Sequence, residues 1–463
     1  KPSILITFVL VSLFLLQIFI FYNFQVDDSY ISFRYSKNLI EYGVWNWNRI
    51  GEKVEAYTSF TYTLLGVIPH YFNFQPIVFF RVLGLLFSII PLYYIKKNYS
   101  LSDFYIPLLF VAINPLLYIH SFSGLETPLF ILLLFLLYYN LQKSEGIKNN
   151  KIVYAILFLL PLTRPEGSLF TVSILLTSFY KKDFNLKWTI LLVIFCLSYF
   201  ILRFNFFGYL FPNTFYVKSI TSAKPIFEII KSNIRSVEYY FVLLVSSFII
   251  KKKYIKVLIF NSIIILLYYS SSNLLMDYYD RFNFQIVFPL LLFLLYNIKV
   301  KKFFYPVIIL NLLILSGSIK AKSTYLLGTE TKLAESHGLL GKSLNEFKDE
   351  GLTLALGDAG MVPYFSEWET IDIIGLANNN IAQNGLTLDY IEEKSPDLIV
   401  LHSSSDNPKD VYHEGSELLM EYFITHPYYQ KIGSIKHADG FYLLCYLKKN
   451  LSLFDEIKFK IEE

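Results

Sequence analysis

Long apolar runs alternate with short polar segments over the first two thirds of the chain. The first run covers residues 4–22, about the length that crosses a bilayer. Asn23-Phe24-Gln25 follows it instead of a small-residue cleavage site, so we expect an uncleaved first span. Further apolar runs lie near residues 77–95, 104–120, 127–142, 152–163, 166–180, 188–206, 238–250, 255–271, 284–298 and 303–319. The pattern predicts a mainly α-helical, polytopic bundle of about 11 transmembrane spans.

Lysine clusters in the short loops indicate how this bundle is oriented. The clusters lie at residues 96–97, 143–151, 181–182, 251–256 and 299–302. Short loops rich in lysine stay in the cytoplasm, so the pattern predicts a cytoplasmic N-terminus. Residues 61–72 are apolar but too few to span, and a span there would move the lysines at 96–97 outside. We therefore expect this segment to lie on the outer membrane surface or dip into it, within a first outer loop at about residues 23–76.

The pattern changes near residue 321, where the apolar runs shorten to strand length. These short runs lie at residues 352–356, 370–374, 398–401 and 441–446, between polar helical stretches at 329–348 and 414–426. Such alternation predicts a small α/β domain. The chain therefore divides into a membrane domain over residues 1–320 and a second domain over residues 321–463. An odd number of spans after a cytoplasmic N-terminus places the second domain outside the cytoplasm.

Composition supports a membrane protein and excludes other classes. Of the 463 residues, 54% are hydrophobic and only 17% are charged, whereas soluble domains have about 25% charged residues. The net charge of +4 is too small to indicate nucleic-acid binding. Cys196 and Cys445 form neither a metal-binding spacing nor a disulfide framework. No Walker sequence or GxGxxG is present, so we predict no nucleotide site.

Two acidic residues stand where the first span ends. Asp27 and Asp28 follow the span directly, at a depth where ionisable groups are costly unless they are paired or used. Apolar residues then recur at helical spacing, which predicts a short amphipathic surface helix ending at Gly43. Either aspartate is therefore the N-cap of this helix or takes part in chemistry, and both roles are compatible because there are two carboxylates.

A series of short motifs runs along the chain. The series begins with Asp27-Asp28-Ser29-Tyr30-Ile31-Ser32-Phe33-Arg34 and Val54-Glu55-Ala56-Tyr57-Thr58-Ser59. It continues in order through Ser123-Gly124-Leu125-Glu126-Thr127-Pro128, Thr163-Arg164-Pro165-Glu166-Gly167, Phe211-Pro212-Asn213-Thr214-Phe215-Tyr216-Val217-Lys218, Gly357-Asp358-Ala359-Gly360 and Ile371-Asp372-Ile373-Ile374-Gly375-Leu376. This series resembles the integral-membrane GT-C glycosyltransferases, in particular the branch that includes the mycobacterial terminal arabinofuranosyltransferase, and the resemblance covers nearly the whole chain.

The chain departs from the branch at two of its motifs. Ala56 stands where the branch has glycine, and residues 276–281 only approximate its Gly-Asp-Tyr-Met motif. The many Ile, Lys and Asn residues also differ from a mycobacterial composition. Arabinose is therefore not carried over as the donor sugar.

The resemblance implies an inverting transfer of a sugar from a polyprenyl-phosphate donor to an extracytoplasmic glycan, lipid or protein. One carboxylate must take the proton of the attacking hydroxyl. Asp27 is our first choice for this base, with Asp28 orienting the acceptor or capping the helix, and the reverse order stays open. The leaving phosphate needs positive charge, which arginine supplies in a geometry matched to phosphate.

Cations near the outer ends of the predicted spans are the candidates for binding the donor phosphate. They are Arg34, Arg164, Arg203, Lys218 and Arg281. Several have structural alternatives: Arg203 can extend to the membrane interface, Arg164 can pair with Glu166, and Arg281 can be held by Asp277 or Asp280.

Further residues of the matching motifs are candidates for sugar or acceptor binding. Glu55 and Glu126 either hold sugar hydroxyls or tie loops together, while Tyr57 and Tyr216 can stack on sugar rings. A divalent metal stays open because carboxylates are numerous, although no ligand spacing supports one and we assign no metal residue. Asp358 follows a predicted strand and either binds a ligand or forms a turn. The histidines of the second domain share no spacing and are expected to be structural or at the surface: His337, His402, His413, His426 and His437.

Two other functions compete with the transferase. A transporter or flippase of lipid-linked saccharide would carry ionisable residues or broken helices at mid-membrane, whereas the charges here gather at the outer span ends. A non-catalytic assembly protein would bind polymer through its outer domain. In each case we expect a multi-pass protein of the bacterial cytoplasmic membrane, with its C-terminal domain in the periplasm.

Overall fold

A computed structural model describes residues 4–100, 104–144, 146–220, 225–272, 277–297, 332–412, 414–425 and 427–462. Helices occupy the predicted span positions in these ranges, and the predicted span at 303–319 lies outside the described residues. The helices before residue 300 are α1 (Ile4–Phe21), α2 (Ser29–Tyr42), α3 (Phe60–Leu65), α4 (Val67–Tyr71), α5 (Pro76–Lys96), α6 (Tyr105–Ala112), α7 (Pro115–Phe122), α8 (Thr127–Lys143), α9 (Lys151–Thr163), α10 (Gly167–Tyr180), α11 (Leu186–Phe207), α12 (Asn213–Ile220), α13 (Ile226–Arg235), α14 (Val237–Ile249), α15 (Lys253–Ser271) and α16 (Arg281–Asn297).

Among the described residues, four helices are long and apolar enough to cross a membrane. They are α1, α5, α11 and α15, whereas α8, α9, α10 and α14 are shorter apolar helices. The predicted span at 104–120 is broken into α6 and α7, which meet at 61°. Proline causes this break, because Asn114 before Pro115 is extended and its side chain caps α7 by accepting from the Leu117 N–H.

The first outer loop contains three short helices. Helix α2 ends as predicted at Gly43, whose φ of 69° lets its N–H reach the carbonyls of Asn38 and Leu39. The prediction that α2 lies on the surface is wrong for most of the helix, because eight of its 14 residues are buried, including the polar Arg34 and Asn38, and only its last two residues are exposed. Residues 61–72 fold into α3 and α4, each far shorter than a span.

The C-terminal part forms a five-stranded sheet with the order β2-β1-β3-β5-β4. Strands β1 (Thr353–Leu356), β2 (Glu369–Asp372) and β3 (Leu398–Ser403) are parallel, whereas β4 (Tyr429–Ala438) and β5 (Phe441–Lys448) form an antiparallel hairpin at the other end. Strand β4 is absent from the sequence prediction, because Gly433, Ser434 and two lysines interrupt its apolar pattern. The Asp439-Gly440 turn that follows it is a hairpin signal that could have located it.

Helices cover both faces of this sheet, as expected of an α/β fold. They are α17 (His337–Asn345), α18 (Met361–Ser366), α19 (Asn379–Asn384), α20 (Leu388–Lys394), α21 (Glu414–Thr425) and α22 (Phe454–Glu462). One apolar core joins Leu340 and Ile457 to β1 and β5, and a second joins Ile391 and Leu419 to the opposite face. Helix α18 also packs on α2, so the sheet contacts the first outer loop directly.

Candidate functional site

The chain turns sharply where the first span ends, and this turn positions the two aspartates. The Val26 N–H donates to the Ser123 carbonyl, and the Ser29 hydroxyl donates to the Val26 carbonyl over 2.7 Å. Helix α2 begins at once at Ser29, so Asp27 and Asp28 point in different directions from a rigid turn. The Asp28 side chain makes no capping hydrogen bond to α2, which excludes Asp28 as a side-chain N-cap of this helix.

Asp28 lines a cavity of about 70 Å³ that we call the Asp28 cavity. Tyr57 from the first outer loop, Glu126 before α8 and Leu376 from the C-terminal part contribute to its wall. Arg281, at the start of α16, is the cation among the described lining residues. Ligand pockets commonly have about 300–1,000 Å³, so this cavity accommodates the reacting groups rather than a whole lipid-linked sugar.

Asp27 faces away from this cavity and is buried. Its carboxylate accepts from the backbone N–H of Gly360 over 2.9 Å and of Met361 over 2.7 Å. Asp27 therefore caps a helix, but this helix is α18 of the C-terminal part rather than α2. These contacts favour the reverse of our first choice, with Asp28 as the base and Asp27 as a positioning residue.

Two of the candidate phosphate-binding arginines are engaged in buried ion pairs. Arg164 pairs with Glu126 and, over 3.2 Å, with Glu166. Arg203 Nε donates to Glu55 over 2.9 Å, and Arg203 Nη1 donates to the Leu210 carbonyl over 2.8 Å. The alternative that Glu55 and Glu126 tie loops together thus agrees with the geometry, since each bonds an arginine from a distant helix end.

Arg34 lies at the joint between α2 and the C-terminal sheet instead of on the Asp28 cavity. Its Nη2 donates to the Trp368 carbonyl over 2.7 Å and to Asn48 over 3.1 Å. The guanidinium lies 4.5 Å from the centre of the Trp47 ring. Burial lowers the pKa of Arg34 to about 10, so it remains charged at neutral pH.

The remaining candidates differ in how close they lie to the cavity. Arg281 is buried, and within the described part of the chain its Nε has no hydrogen-bond partner. Tyr57 lines the cavity while its hydroxyl accepts from Trp45 Nε1 over 3.1 Å. Tyr216 of α12 packs on aromatic residues, with its ring centre 5.8 Å from that of Phe215 and 6.4 Å from that of Phe211. Lys218 is in α12, and its side chain lies outside the described residues.

A cluster of histidines next to Asp27 is the main feature that the sequence prediction missed. Nε2 of His337 and Nε2 of His402 each lie 2.7 Å from the same oxygen of Asp358. Nδ1 of His437 lies 2.7 Å from the Ser336 hydroxyl. His413 and His426 are outside the described residues. No spacing in the sequence reveals the cluster, because the sheet and α17 bring together residues from four separate segments.

The charged groups of this cluster shift one another's pKa values. Burial, and after it the nearby Asp358 carboxylate, raise the pKa of Asp27 to about 7. Burial alone would raise the pKa of Asp358, but the two histidines hold it well below its usual value. Burial disfavours the His337 imidazolium, yet Asp358 raises the pKa of His337 overall. Within the described residues, no three His, Cys, Asp or Glu side chains are arranged to hold a metal ion.

Comparisons with known proteins agree with this architecture. Residues 328–451 match a family described as a domain of unknown function (DUF8728). No curated protein shows a significant match to the chain. The structure is similar to ArnT from Cupriavidus metallidurans in the apo state, with a TM-score of 0.57 and 11% identity over 96% of this chain and 97% of that chain. It is equally similar to ArnT bound to undecaprenyl phosphate, with a TM-score of 0.57 and 10% identity over 96% and 98% of the two chains.

At this level of identity the similarity concerns the fold. The protein has the GT-C-like architecture that the sequence predicts, a bundle of apolar helices followed by a small sheet domain. Its apolar helices identify it as a multi-pass membrane protein.

Proposed function

We propose that the protein is an inverting glycosyltransferase that uses a polyprenyl-phosphate sugar as donor. The observation that carries the proposal is the Asp28 cavity, in which a carboxylate and a guanidinium share one small space at the end of the first span. Bound undecaprenyl phosphate in the similar ArnT structure supports a lipid-phosphate donor. The motif resemblance to the branch of the arabinofuranosyltransferase supports the same class without assigning the sugar.

In the proposed reaction, the acceptor hydroxyl oxygen attacks the anomeric carbon from the side opposite the phosphate. Asp28 takes the hydroxyl proton as the new C–O bond forms. The bond between the anomeric carbon and the phosphate oxygen breaks, and its electron pair leaves with polyprenyl phosphate. Arg281 stabilises the negative charge on that phosphate, and it needs no proton transfer to do so. Tyr57 contacts the sugar or the acceptor at the cavity wall, and Glu126, which also lines this wall, is held there by its ion pair with Arg164.

The proposed location follows from the lysine pattern. We infer that the chain lies in the bacterial cytoplasmic membrane, with the N-terminus in the cytoplasm and the Asp28 cavity and C-terminal domain in the periplasm. A donor carried by a membrane lipid presents its phosphate at the membrane boundary, which is where Asp28 lies at the end of α1. The acceptor is then an extracytoplasmic glycan, lipid or protein.

Purified protein supplied with polyprenyl-phosphate sugars and an envelope acceptor fraction tests this proposal. We expect release of polyprenyl phosphate that depends on the acceptor, and Asp28→Asn to lower its rate by roughly 10²–10⁴-fold through loss of the base. Asp439→Asn is the matched control, because Asp439 is exposed in the β4–β5 turn. Thermal unfolding of both variants checks their folding.

Two outcomes would contradict the proposal. Full turnover by Asp28→Asn would exclude this residue as the base. Movement of the lipid-linked sugar between leaflets without bond cleavage would favour the transporter or flippase.

A further inference from the structure

A second and larger cavity lies between the first outer loop and the C-terminal sheet. We call it the Asn48 cavity, and its volume is about 390 Å³. Residues 48–54 of the loop form one side, while β2, α19 and α20 contribute the other. The volume falls within the range of about 300–1,000 Å³ that ligand pockets commonly have. None of the proposed reaction steps uses this space.

The lining of the Asn48 cavity has the chemistry that binds neutral, hydroxyl-rich ligands. Asn48, Asn378 and Asn380 supply amides, which both donate and accept hydrogen bonds. Asn48 and Asn378 each use one of their two amide N–H groups within the protein, to the Thr370 carbonyl and the Tyr390 hydroxyl. Tyr390 adds an aromatic ring whose hydroxyl accepts from Asn378 Nδ2 over 2.9 Å. Lys394 is the cation of the described lining, and its ammonium lies 3.1 Å from Glu393, so the wall does not present a cationic surface for phosphate.

The cavity is held in shape before any ligand binds. Asn48 Nδ2 donates to the Thr370 carbonyl over 2.9 Å, and the Thr370 N–H donates back to Asn48 Oδ1 over 3.1 Å. This amide thereby pairs with the outer edge of β2, which is the edge strand of the sheet. On the other side, the Asn379 N–H donates to Glu52 over 3.2 Å. A preformed wall reduces the ordering cost of binding.

The Asn48 cavity adjoins the Asp28 cavity along two chain segments. Leu376 lines the Asp28 cavity and the next residue, Ala377, lines the Asn48 cavity. Similarly, Ala56 lines the first and Val54 lines the second. A chain of sugars that crosses these segments would place one residue in the Asn48 cavity and a neighbouring hydroxyl next to Asp28.

We propose that the Asn48 cavity binds a sugar residue of the acceptor, next to the residue that carries the attacking hydroxyl. This inference rests on the proposed function and narrows it, because it makes the acceptor an extracytoplasmic oligosaccharide or polysaccharide. The amides, the aromatic ring and the Lys394–Glu393 ion pair suit a neutral glycan better than an acyl chain. Glu52 adds a second carboxylate to the lining, which disfavours an anionic lipid phosphate.

The test blocks the cavity from its exposed rim. Asn380 is exposed on α19 and lines the cavity, so Asn380→Trp fills the space without disturbing the core. Asn384→Trp is the matched control, because Asn384 is also exposed on α19 but lies outside the lining. The probes are size-fractionated neutral oligosaccharides of roughly two to six residues, released from the envelope of the source bacterium, a span that crosses both cavities.

Direct binding and turnover are measured separately on the full-length protein. By calorimetry, we expect the wild type and Asn384→Trp to bind the oligosaccharides and Asn380→Trp to bind them roughly tenfold or more weakly, since the polar contacts of one subsite are lost. In the transfer assay, we expect Asn380→Trp to raise KM for the oligosaccharide by a similar factor, while KM for the donor stays unchanged.

The outcomes distinguish this inference from the proposed function. Acceptor-dependent turnover with equal acceptor KM in both tryptophan variants would overturn the subsite and leave the transferase standing. Oligosaccharide binding that Asn380→Trp abolishes, in a protein that never releases polyprenyl phosphate, would support a glycan site and overturn the transferase. Absence of oligosaccharide binding by the wild type would overturn the subsite.

Discussion

At the residue scale, the charged side chains at the outer boundary divide into two groups. Glu55, Arg203 and Arg164 are engaged in buried ion pairs, whereas Asp28 and Arg281 line the Asp28 cavity. The sequence predicts that these charges gather at the span ends, because the hydrophobic pattern locates those ends. It does not predict the pairing, since Glu55 and Arg203 are 148 positions apart and meet only in the folded bundle.

The Glu55–Arg203 pair provides a test of this division. Both side chains are largely buried, so Arg203→Met leaves a buried carboxylate without its counter-charge and should lower the free energy of unfolding by about 3–5 kcal/mol. The double variant Glu55→Gln with Arg203→Met should recover most of this loss, because no buried charge remains unpaired. Denaturant unfolding of the wild type, Arg203→Met, Glu55→Gln and the double variant in detergent measures the coupling.

The activity of the double variant distinguishes two roles of Arg203: ion-pair partner of Glu55 and ligand of the donor phosphate. If Arg203 only holds the first outer loop, the folded double variant should keep its KM for the donor. A large rise in KM for the donor, in a double variant whose stability is restored, would indicate that Arg203 binds the donor phosphate.

At the element scale, helix α2 shows what a hydrophobic pattern can and cannot predict. The pattern predicts the helix and its end at Gly43, because both depend on local residues. It does not predict what covers the polar side, where Lys37 pairs with Glu367 over 2.8 Å and Arg34 reaches Trp368. The covering residues are more than 300 positions away, so no local signal could reveal them.

The contact between Asp27 and helix α18 depends on a glycine. A Cβ at Gly360 would lie 2.0 Å from the backbone oxygen of Asp27 and 2.4 Å from Asp27 Oδ2. Gly360→Ala should therefore push α18 away and lower stability by about 1–3 kcal/mol, the usual cost of overpacking. Hydrogen exchange of the amides at 361–366 should accelerate.

Gly415→Ala is the matched control for this change. The nearest atom to a Cβ at Gly415 lies at 3.4 Å, which is ordinary van der Waals contact, so exchange at 361–366 should stay unchanged. Equal protection of α18 in the wild type and Gly360→Ala would contradict a close-packed joint.

At the scale of the whole molecule, a feature is harder to predict from the sequence when more separate chain segments must come together to form it. Within the described residues, each long apolar run predicts a helix except the run at 104–120, which forms two, and the short runs predict four of the five strands, because local periodicity is sufficient. The Asp28 cavity combines the first outer loop, the chain before α8, the start of α16 and Leu376 of the C-terminal part. The sequence predicts Asp28, Tyr57 and Glu126 as site residues through the motif resemblance, and Arg281 through its position near an outer span end. Their convergence follows only from the assembled bundle and sheet.

The joint between the membrane helices and the sheet should weaken as pH rises above neutrality. The pKa of His337 is raised in the folded state by Asp358, so its stabilising contribution is present below about 6.5, the ordinary histidine value, and is lost as pH rises through the raised value. Asp27, with its pKa raised from 3.8 to about 7, also holds more proton when folded, but its contribution falls between these two pKa values and is largely lost once pH exceeds about 7. Asp358 stays ionised in both states above pH 5, because its folded pKa is lowered, and it adds no slope.

Thermal unfolding of the full chain from about pH 7 to 8.5 measures this dependence. We expect stability to fall with pH in the wild type, and His337→Gln to make the slope shallower, with Asp27 contributing only near pH 7. His70→Gln is the control, since burial lowers the pKa of His70 and it is neutral in both states over this range. A slope unchanged by His337→Gln would mean that this imidazole does not carry the proton linkage, and the joint would then owe its stability to the backbone bonds of Asp27 and to packing alone.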